Sequence, residues 1–191
     1  GAFTDATRLL LQQSSLDVEN LIRNDLTQAL ATAIDLGALA GTGSSGQPTG
    51  ISGTSGINTT TFAAATPTWA EIVAMESAVA NDNALNGSLG YICRPADFGT
   101  LKTVEKASGT AQFVVNPDNS MNGYNVVRSN QVTSGDFYFG NFADLLIGMY
   151  GGLDITVDPF ALSTSGGVRI VALQTVDVAV RHAVSFCKSS D

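Results

Sequence analysis

Residues 14–51 read SSLDVENLIRNDLTQALATAIDLGALAGTGSSGQPTGI, and they join the longest periodic segment of the chain to a glycine-rich exit. Between positions 16 and 36, apolar residues fall at Val18, Leu21, Ile22, Leu26, Ala29, Leu30, Ala33 and Ile34. That is the 3.6-residue period of an amphipathic helix. Ser15 stands at the N-cap position, Asp17 and Glu19 lie near the positive end of the helix dipole, and Gly37 can close the helix. At about 1.5 Å per residue the segment is roughly 30 Å long, a spine rather than an ordinary globular helix.

Outward from this spine the pattern changes. Residues 41–61 are rich in Gly, Ser and Thr, a composition that predicts a long loop. A second helix starts at Thr68, where Thr68 and Glu71 have capping-box spacing and Trp69, Ile72, Val73 and Val79 supply the apolar face; it ends near Asn81. Strand-like runs follow at 91–94, 112–115, 124–128, 137–139, 145–150 and 153–157, with a short helix over 95–106. The last element, residues 168–184, is a β-branched run read as one long strand able to connect two lobes. Three helical stretches and about seven strands, outside any regular βαβ order, indicate an α+β protein without internal repeats.

Composition narrows the function classes. The chain has 191 residues, 9 Lys+Arg against 17 Asp+Glu, one His and a net charge of −8; 44% of residues are hydrophobic and 14% charged. This opposes intrinsic disorder and allows a substantial core. No apolar run reaches the roughly 18 residues of a membrane span, and the opening GAFTDATRLL lacks a signal-peptide pattern, so the expectation is a soluble intracellular product without a membrane partner. Scattered cations on an acidic chain argue against a dedicated nucleic-acid grip. Cys93 and Cys187 lie in apolar stretches without CxxC spacing and read as buried, reduced thiols.

Motifs for chemistry are weak. Gly41-Thr42-Gly43-Ser44-Ser45-Gly46 matches a dinucleotide fingerprint in letters, but it follows a helix instead of a strand and opens no helix of its own. No phosphate-loop or GxSxG pattern occurs, and His182, the only histidine, would have to serve every Ser or Cys nucleophile. Asp154 and Asp158, four apart on a strand-like run, would sit about 13 Å apart, too far to share an ion. The expectation is no catalytic residue, no cofactor and no metal, which leaves function by surface and shape.

The order of segments resembles the tailed-phage major capsid proteins of the Hong Kong 97 fold. The residues quoted first are similar to that family's spine helix and its GTG…QP.GI exit. GYICRPADFGTLKTVEKASGTAQFV (90–114) resembles the following strand, turn and short helix, and MNGYNVVRSNQV (121–132) the next strand. FYFGNFADLLIGMYGGLDITVDPF (137–160) with GGVRIVALQTVDVAVRHAVSFC (166–187) resembles the C-terminal block.

The resemblance implies an α+β shell subunit of an icosahedral head. Its peripheral lobe would comprise 1–45 and 140–175, with the spine helix at 15–37 and the long strands, and its axial lobe 46–139 and 176–191. The polar segment 108–123 becomes the loop at the symmetry axis, with Ser108, Gln112, Asn116, Asp118, Asn119 and Asn122 as candidate interface residues. Partners would be further copies in pentamers and hexamers, with a scaffold and a portal protein. DNA would be enclosed without specific binding, in a virion assembled in the bacterial cytoplasm. The family's N-terminal arm and most of its extended hairpin have no counterpart here, so the expectation is a truncated piece that folds but assembles poorly. Some members cross-link Lys to Asn with help from Glu; the acceptor and Glu positions fall near Gly166 and Leu173, so cross-linking is not expected. Two alternatives stay open. One is an encapsulin-like nanocompartment shell, and the other a small-ligand binder or enzyme using the loop from Gly41 to Gly56 as a lid, which a pocket lined by His182 and carboxylates would support.

Overall fold

The computed structural model describes residues 1–13, 16–64 and 66–190. They form two compact units, one of residues 1–35 and 148–177, the other of residues 36–147 and 178–191. Ser15, assigned above to the spine's N-cap, lies outside the described residues.

The smaller unit begins with β1 (Ala2–Thr7) and α1 (Arg8–Gln13), neither of which the periodicity indicated. The spine, α2 (Leu16–Ala40), has 25 residues and runs about 37 Å. It passes Gly37 because Gly37 keeps ordinary helical geometry. Its missing side chain admits Pro48, whose Cγ lies 3.2 Å from where a Cβ would be. The buried stripe is narrower than the sequence pattern: Leu26 and Leu30 are buried and Ile22 packs beside them, while Leu21, Ala29 and Ala33 face solvent. That stripe meets Ile170 and Ala172, with Ala2 and Ile155 alongside.

Those partners lie on a three-stranded sheet of order β1-β7-β6, with β6 spanning Leu145–Asp158 and β7 Gly167–Val180. The two runs expected at 145–150 and 153–157 are one strand that continues through Gly151 at φ +75°. β1 pairs antiparallel with β7, placing Asp5 opposite Arg169, whose guanidinium binds both carboxylate oxygens at 2.7 and 2.9 Å.

The larger unit is built on a five-stranded sheet of order β2-β8-β5-β3-β4. Its strands are β2 (Asn58–Thr61), β3 (Leu89–Cys93), β4 (Asn125–Arg128), β5 (Phe137–Asn141) and β8 (Phe186–Ser190). β5 is central, antiparallel to β3 on one edge and to β8 on the other. Its side chains alternate between two cores. Phe137 and Phe139 join Tyr91, Cys93 and Cys187 under α3 (Trp69–Asn81) and α4 (Pro95–Leu101), whereas Tyr138 joins Phe186, Ile51 and Leu39 on the opposite face. From α3, Ile72, Met75 and Val79 point into the first core at helical spacing.

Four further expectations need correction. The run 112–115 forms no strand, only single bridges of Phe113 to Glu105 and Val115 to Met121, because the chain turns sharply on either side. The short helix stops at Leu101 instead of 106, where Val104 N–H turns back to the Leu101 carbonyl at 3.3 Å. The run 168–184 is not one strand: it ends at Val180, makes a single 3-10 turn at Ala183–Ser185 and re-enters the other sheet as β8. β2, within the stretch read as loop, pairs in parallel with β8.

The expected capping box is present at α3. Glu71 Oε2 accepts from Thr68 N–H at 2.7 Å, Thr68 Oγ1 accepts from Glu71 N–H at 3.4 Å, and Glu71 Oε1 takes Ala63 N–H at 2.7 Å. The Thr68 and Ala63 amides hold the Glu71 carboxyl below its ordinary value of 4.5. A lowered pKa means stability present above the unfolded value and lost as pH falls through the folded one. Glu71→Ala should therefore cost about 1 kcal/mol near neutral pH. In denaturant titrations across pH, the gap to the unsubstituted chain should close as pH drops below 4.5.

At the spine's exit three glycines mark where backbones touch. A Cβ on Gly41 would stand 2.3 Å from the Pro48 carbonyl oxygen, one on Gly50 2.5 Å from that of Gly37, and one on Gly53 2.7 Å from that of Gly41. Gly50→Ala should lose about 1–3 kcal/mol through this clash. Gly99→Ala, in α4 with nothing within 4 Å, should gain about 0.5–1 kcal/mol from helix propensity. Chemical denaturation of the two variants reads both signs.

Candidate functional site

The segment between α4 and β4 has almost no regular structure, yet it is well anchored. Val114, Val115 and Met121 are buried in the first core of the larger unit. The backbone closes on itself in steps: Val114 N–H to the Val104 carbonyl at 2.9 Å, Asn116 N–H to Ser120 at 2.9 Å, and Tyr124 N–H to Met121 at 3.0 Å. Gly109, Ala111, Asn119, Asn122 and Gly123 all have positive φ, and glycine and asparagine tolerate that region best.

Of the six candidate interface residues, Ser108, Gln112, Asp118 and Asn119 are exposed, whereas Asn116 and Asn122 are half-buried. Asp118 Oδ1 accepts from Ser120 N–H at 3.0 Å and from Ser120 Oγ at 2.7 Å, bonds that hold its carboxyl below the usual carboxylate value. Asn116 receives Lys106 Nζ on Oδ1 at 3.3 Å and donates to Ser120 Oγ at 2.9 Å. Asn122 turns inward: its Nδ2 donates to Glu76 Oε2 of α3, and Tyr124 Oη donates to Glu76 Oε1 at 2.7 Å. The Glu76 carboxylate that accepts this phenol proton also raises the Tyr124 pKa. Asn122 thus ties the segment to the scaffold.

Sequence reading overlooked the cleft beside this turn. It holds about 520 Å³ and is walled by Lys102, Lys106, Gln112, Phe113, Asn116 and Asn119, among others. Lys106 Nζ sits 4.3 Å from the centre of the Trp69 ring, and Lys102 Nζ 5.1 Å from that of Phe98. The spacing of Lys102 and Lys106 was visible in the sequence. What made them neighbours of Asn116 and Asn119 is the fold-back of the chain at 104–114. Glu76 carried no local signal, since its partner Tyr124 is 48 residues away.

The Gly41–Gly46 match is a helix exit. The Gly41 and Gly43 amides, which a pyrophosphate would need, donate to the Gly37 and Pro48 carbonyls at 3.1 and 3.2 Å. A depression of about 360 Å³ does bring His182 and Arg181 beside Asp82 and Asp144. Its carboxylates are already engaged: Asp144 Oδ2 accepts from Asn141 Nδ2 at 3.0 Å and Asp82 Oδ2 from Asn58 Nδ2 at 2.9 Å. Among the described residues no hydrogen bond orients the His182 imidazole toward a nucleophile, and no group of three His, Cys, Asp or Glu is placed to hold a metal. Cys93 and Cys187 are buried and free; burial pushes their thiols up to about 12 and about 11. No helix among the described residues is long and apolar enough to cross a membrane.

Asn122→Ala should cost about 1–3 kcal/mol, since it leaves Glu76 short of a donor and puts alanine at φ +52°. Hydrogen exchange should quicken across 115–124 while the amides of β5 keep their protection.

Three comparisons bear on this geometry. The model of the phage capsid family matches residues 1–190. The chain is 36% identical over 180 residues to a major capsid protein of Halomonas phage phiHAP-1; the match takes in 94% of this chain and 30% of that protein, so the chain spans under a third of its relative's length. Among solved structures, the capsid of an empty GTA particle superposes with a TM-score of 0.75 at 20% identity, over 99% of this chain and 70% of that one. A virus-like particle from Pyrococcus furiosus superposes with a TM-score of 0.67 at 12% identity, over 99% of this chain and 76% of that one. These two likenesses show the fold, which is the Hong Kong 97-like α+β architecture.

Proposed function

Because the chain belongs to the phage capsid family, we propose that it is a shell subunit, a major capsid protein whose copies build an icosahedral phage head around DNA. In this reading the unit of residues 1–35 and 148–177 is the peripheral lobe and the other unit the axial lobe. The segment 108–123 with Ser108, Gln112, Asn116, Asp118 and Asn119 lies at the symmetry axis, and copies meet there in pentamers and hexamers. Scaffold and portal proteins join the same assembly, in a host cytoplasm.

One observation of the chain itself carries the reading. β6 is an edge strand of 14 residues, exposed along nearly its whole length, and it presents Leu146, Met149, Tyr150, Leu153 and Val157 to solvent. Phe160 beyond it is 82% exposed and Phe3 on β1 63%. A long apolar edge is a pairing hazard in a lone protein and an adhesive one in an assembly. Subunits that use different patches toward each neighbour close into rings. The nanocompartment alternative shares this fold, and the 36% identity to a phage major capsid protein favours the phage head. The ligand-binding alternative loses its lid, whose amides are committed to the helix exit.

Light scattering coupled to size exclusion, with negative-stain images of each fraction, tests the reading on this chain and on the same chain with the family's N-terminal arm and extended hairpin joined to its start. The chain alone should give monomers or small oligomers, and the extended one should gain mass with concentration and form rings or curved sheets. A single monomer mass for both over a hundredfold concentration range, with no particle in the images, would overturn it.

A further inference from the structure

We propose that the Asp118 turn of one copy seats in the Lys102–Lys106 cleft of the next, a head-to-tail contact that repeats around a ring. The inference rests on the shell-subunit reading and names the surfaces through which one ring contact is made.

The cleft has the chemistry of a carboxylate receptor. Two of the chain's three lysines line it, on a protein of net charge −8, together with the side-chain amides of Gln112, Asn116 and Asn119. Copies of an acidic chain repel one another over most of their surface, and a cationic recess is where a second copy can approach with attraction. Lys106 is held ready, by the Trp69 ring on one side and Asn116 Oδ1 on the other, so little side-chain freedom is lost when an anion arrives. Phe113, 42% exposed on the wall, adds apolar area that contact would cover.

The matching projection is the turn at Asn116–Ser120. Its shape is set before any partner arrives: Asn119 N–H donates to the Asn116 carbonyl at 2.9 Å, Asn119 takes φ +63°, and Ser120 fixes the Asp118 carboxylate through two bonds. Pro117 and Asn119 line the cleft of their own copy, but Asp118 between them does not. Its exposed carboxylate is therefore offered outward, not to its own lysines. The turn walls its own copy's cleft with Asn116, Pro117 and Asn119 and presents Asp118 on its other side, so a copy whose Asp118 enters one neighbour's cleft still has its own cleft vacant. That arrangement propagates until it closes.

Charge exchange tests the contact with three preparations of the full chain: D118K, K102E/K106E and an equimolar mixture of the two. By light scattering at low salt, each variant alone should need roughly tenfold more protein than the unsubstituted chain to reach the same mean mass. The mixture should recover association, because the new lysine of one variant meets the new glutamates of the other and the original pair survives in the reverse direction. Lys106→Glu removes a contact with Trp69; if that variant fails to fold by circular dichroism, K102E alone, at an exposed position, takes its place in the same scheme. Association unchanged in D118K and K102E, or no recovery on mixing, overturns this contact and leaves the shell reading standing. An unsubstituted chain that stays monomeric, with the family's arm and hairpin joined to it as well as without, overturns both.

Discussion

Phe137–Asn141 is hydrogen-bonded along both edges and covered on both faces, and every other part of the larger unit takes its place from that strand. A strand so enclosed cannot alternate apolar with polar, which is why it reads FYFGN. Its one position without a side chain is also determined by enclosure. A Cβ on Gly140 would stand 2.4 Å from the Ser185 carbonyl oxygen, so glycine is what lets β8 pass at pairing distance. The polar end is closed by Asn141, which accepts Ser88 N–H at 2.9 Å and donates to Asp144, so the strand leaves the core without an orphaned amide.

The same economy governs the spine's exit. Gly41 opens the run that resembles a dinucleotide fingerprint, and with Gly50 and Gly53 beyond that run it meets the need such loops meet: a backbone approach that no Cβ permits. Here the approaching group is another stretch of the chain. Pro48, Gly50 and Ile51 fold back on the last turn of the helix, and Ile51 drops fully buried beside Leu39 and Tyr138. Of the three glycines in the matching run only Gly41 answers to a backbone contact, and Gly46 stands in open space, so the letters alone do not say which glycine is required.

What could be read from the sequence divides along similar lines. The capping box at Thr68, the helix to Asn81 and the enclosed run at 137–139 were legible because their signals are local and contiguous. β2 was not, because NTTT has nothing to distinguish it from a polar loop until β8, 129 residues further on, pairs with it. The break at 181–185 was hidden because Val184 resumes the valines that end at Val180, although the chain changes sheets there. In the candidate site, the polar character of 108–123 was visible, but the inward turn of Asn122 and the cleft around Lys102 and Lys106 depend on contacts with α3 and on a fold-back that no periodicity records.

The two cysteines sit on β3 and β8, strands separated by β5, each fully buried in the core beneath α3. Neither can meet the other, and neither presents a thiolate to the outside. The folded surface is therefore chemically blank toward maleimides and disulfides. One cysteine introduced at an exposed position would be the sole addressable thiol on the chain, so a dye, spin label or displayed peptide could be attached at a chosen point without first removing the native pair.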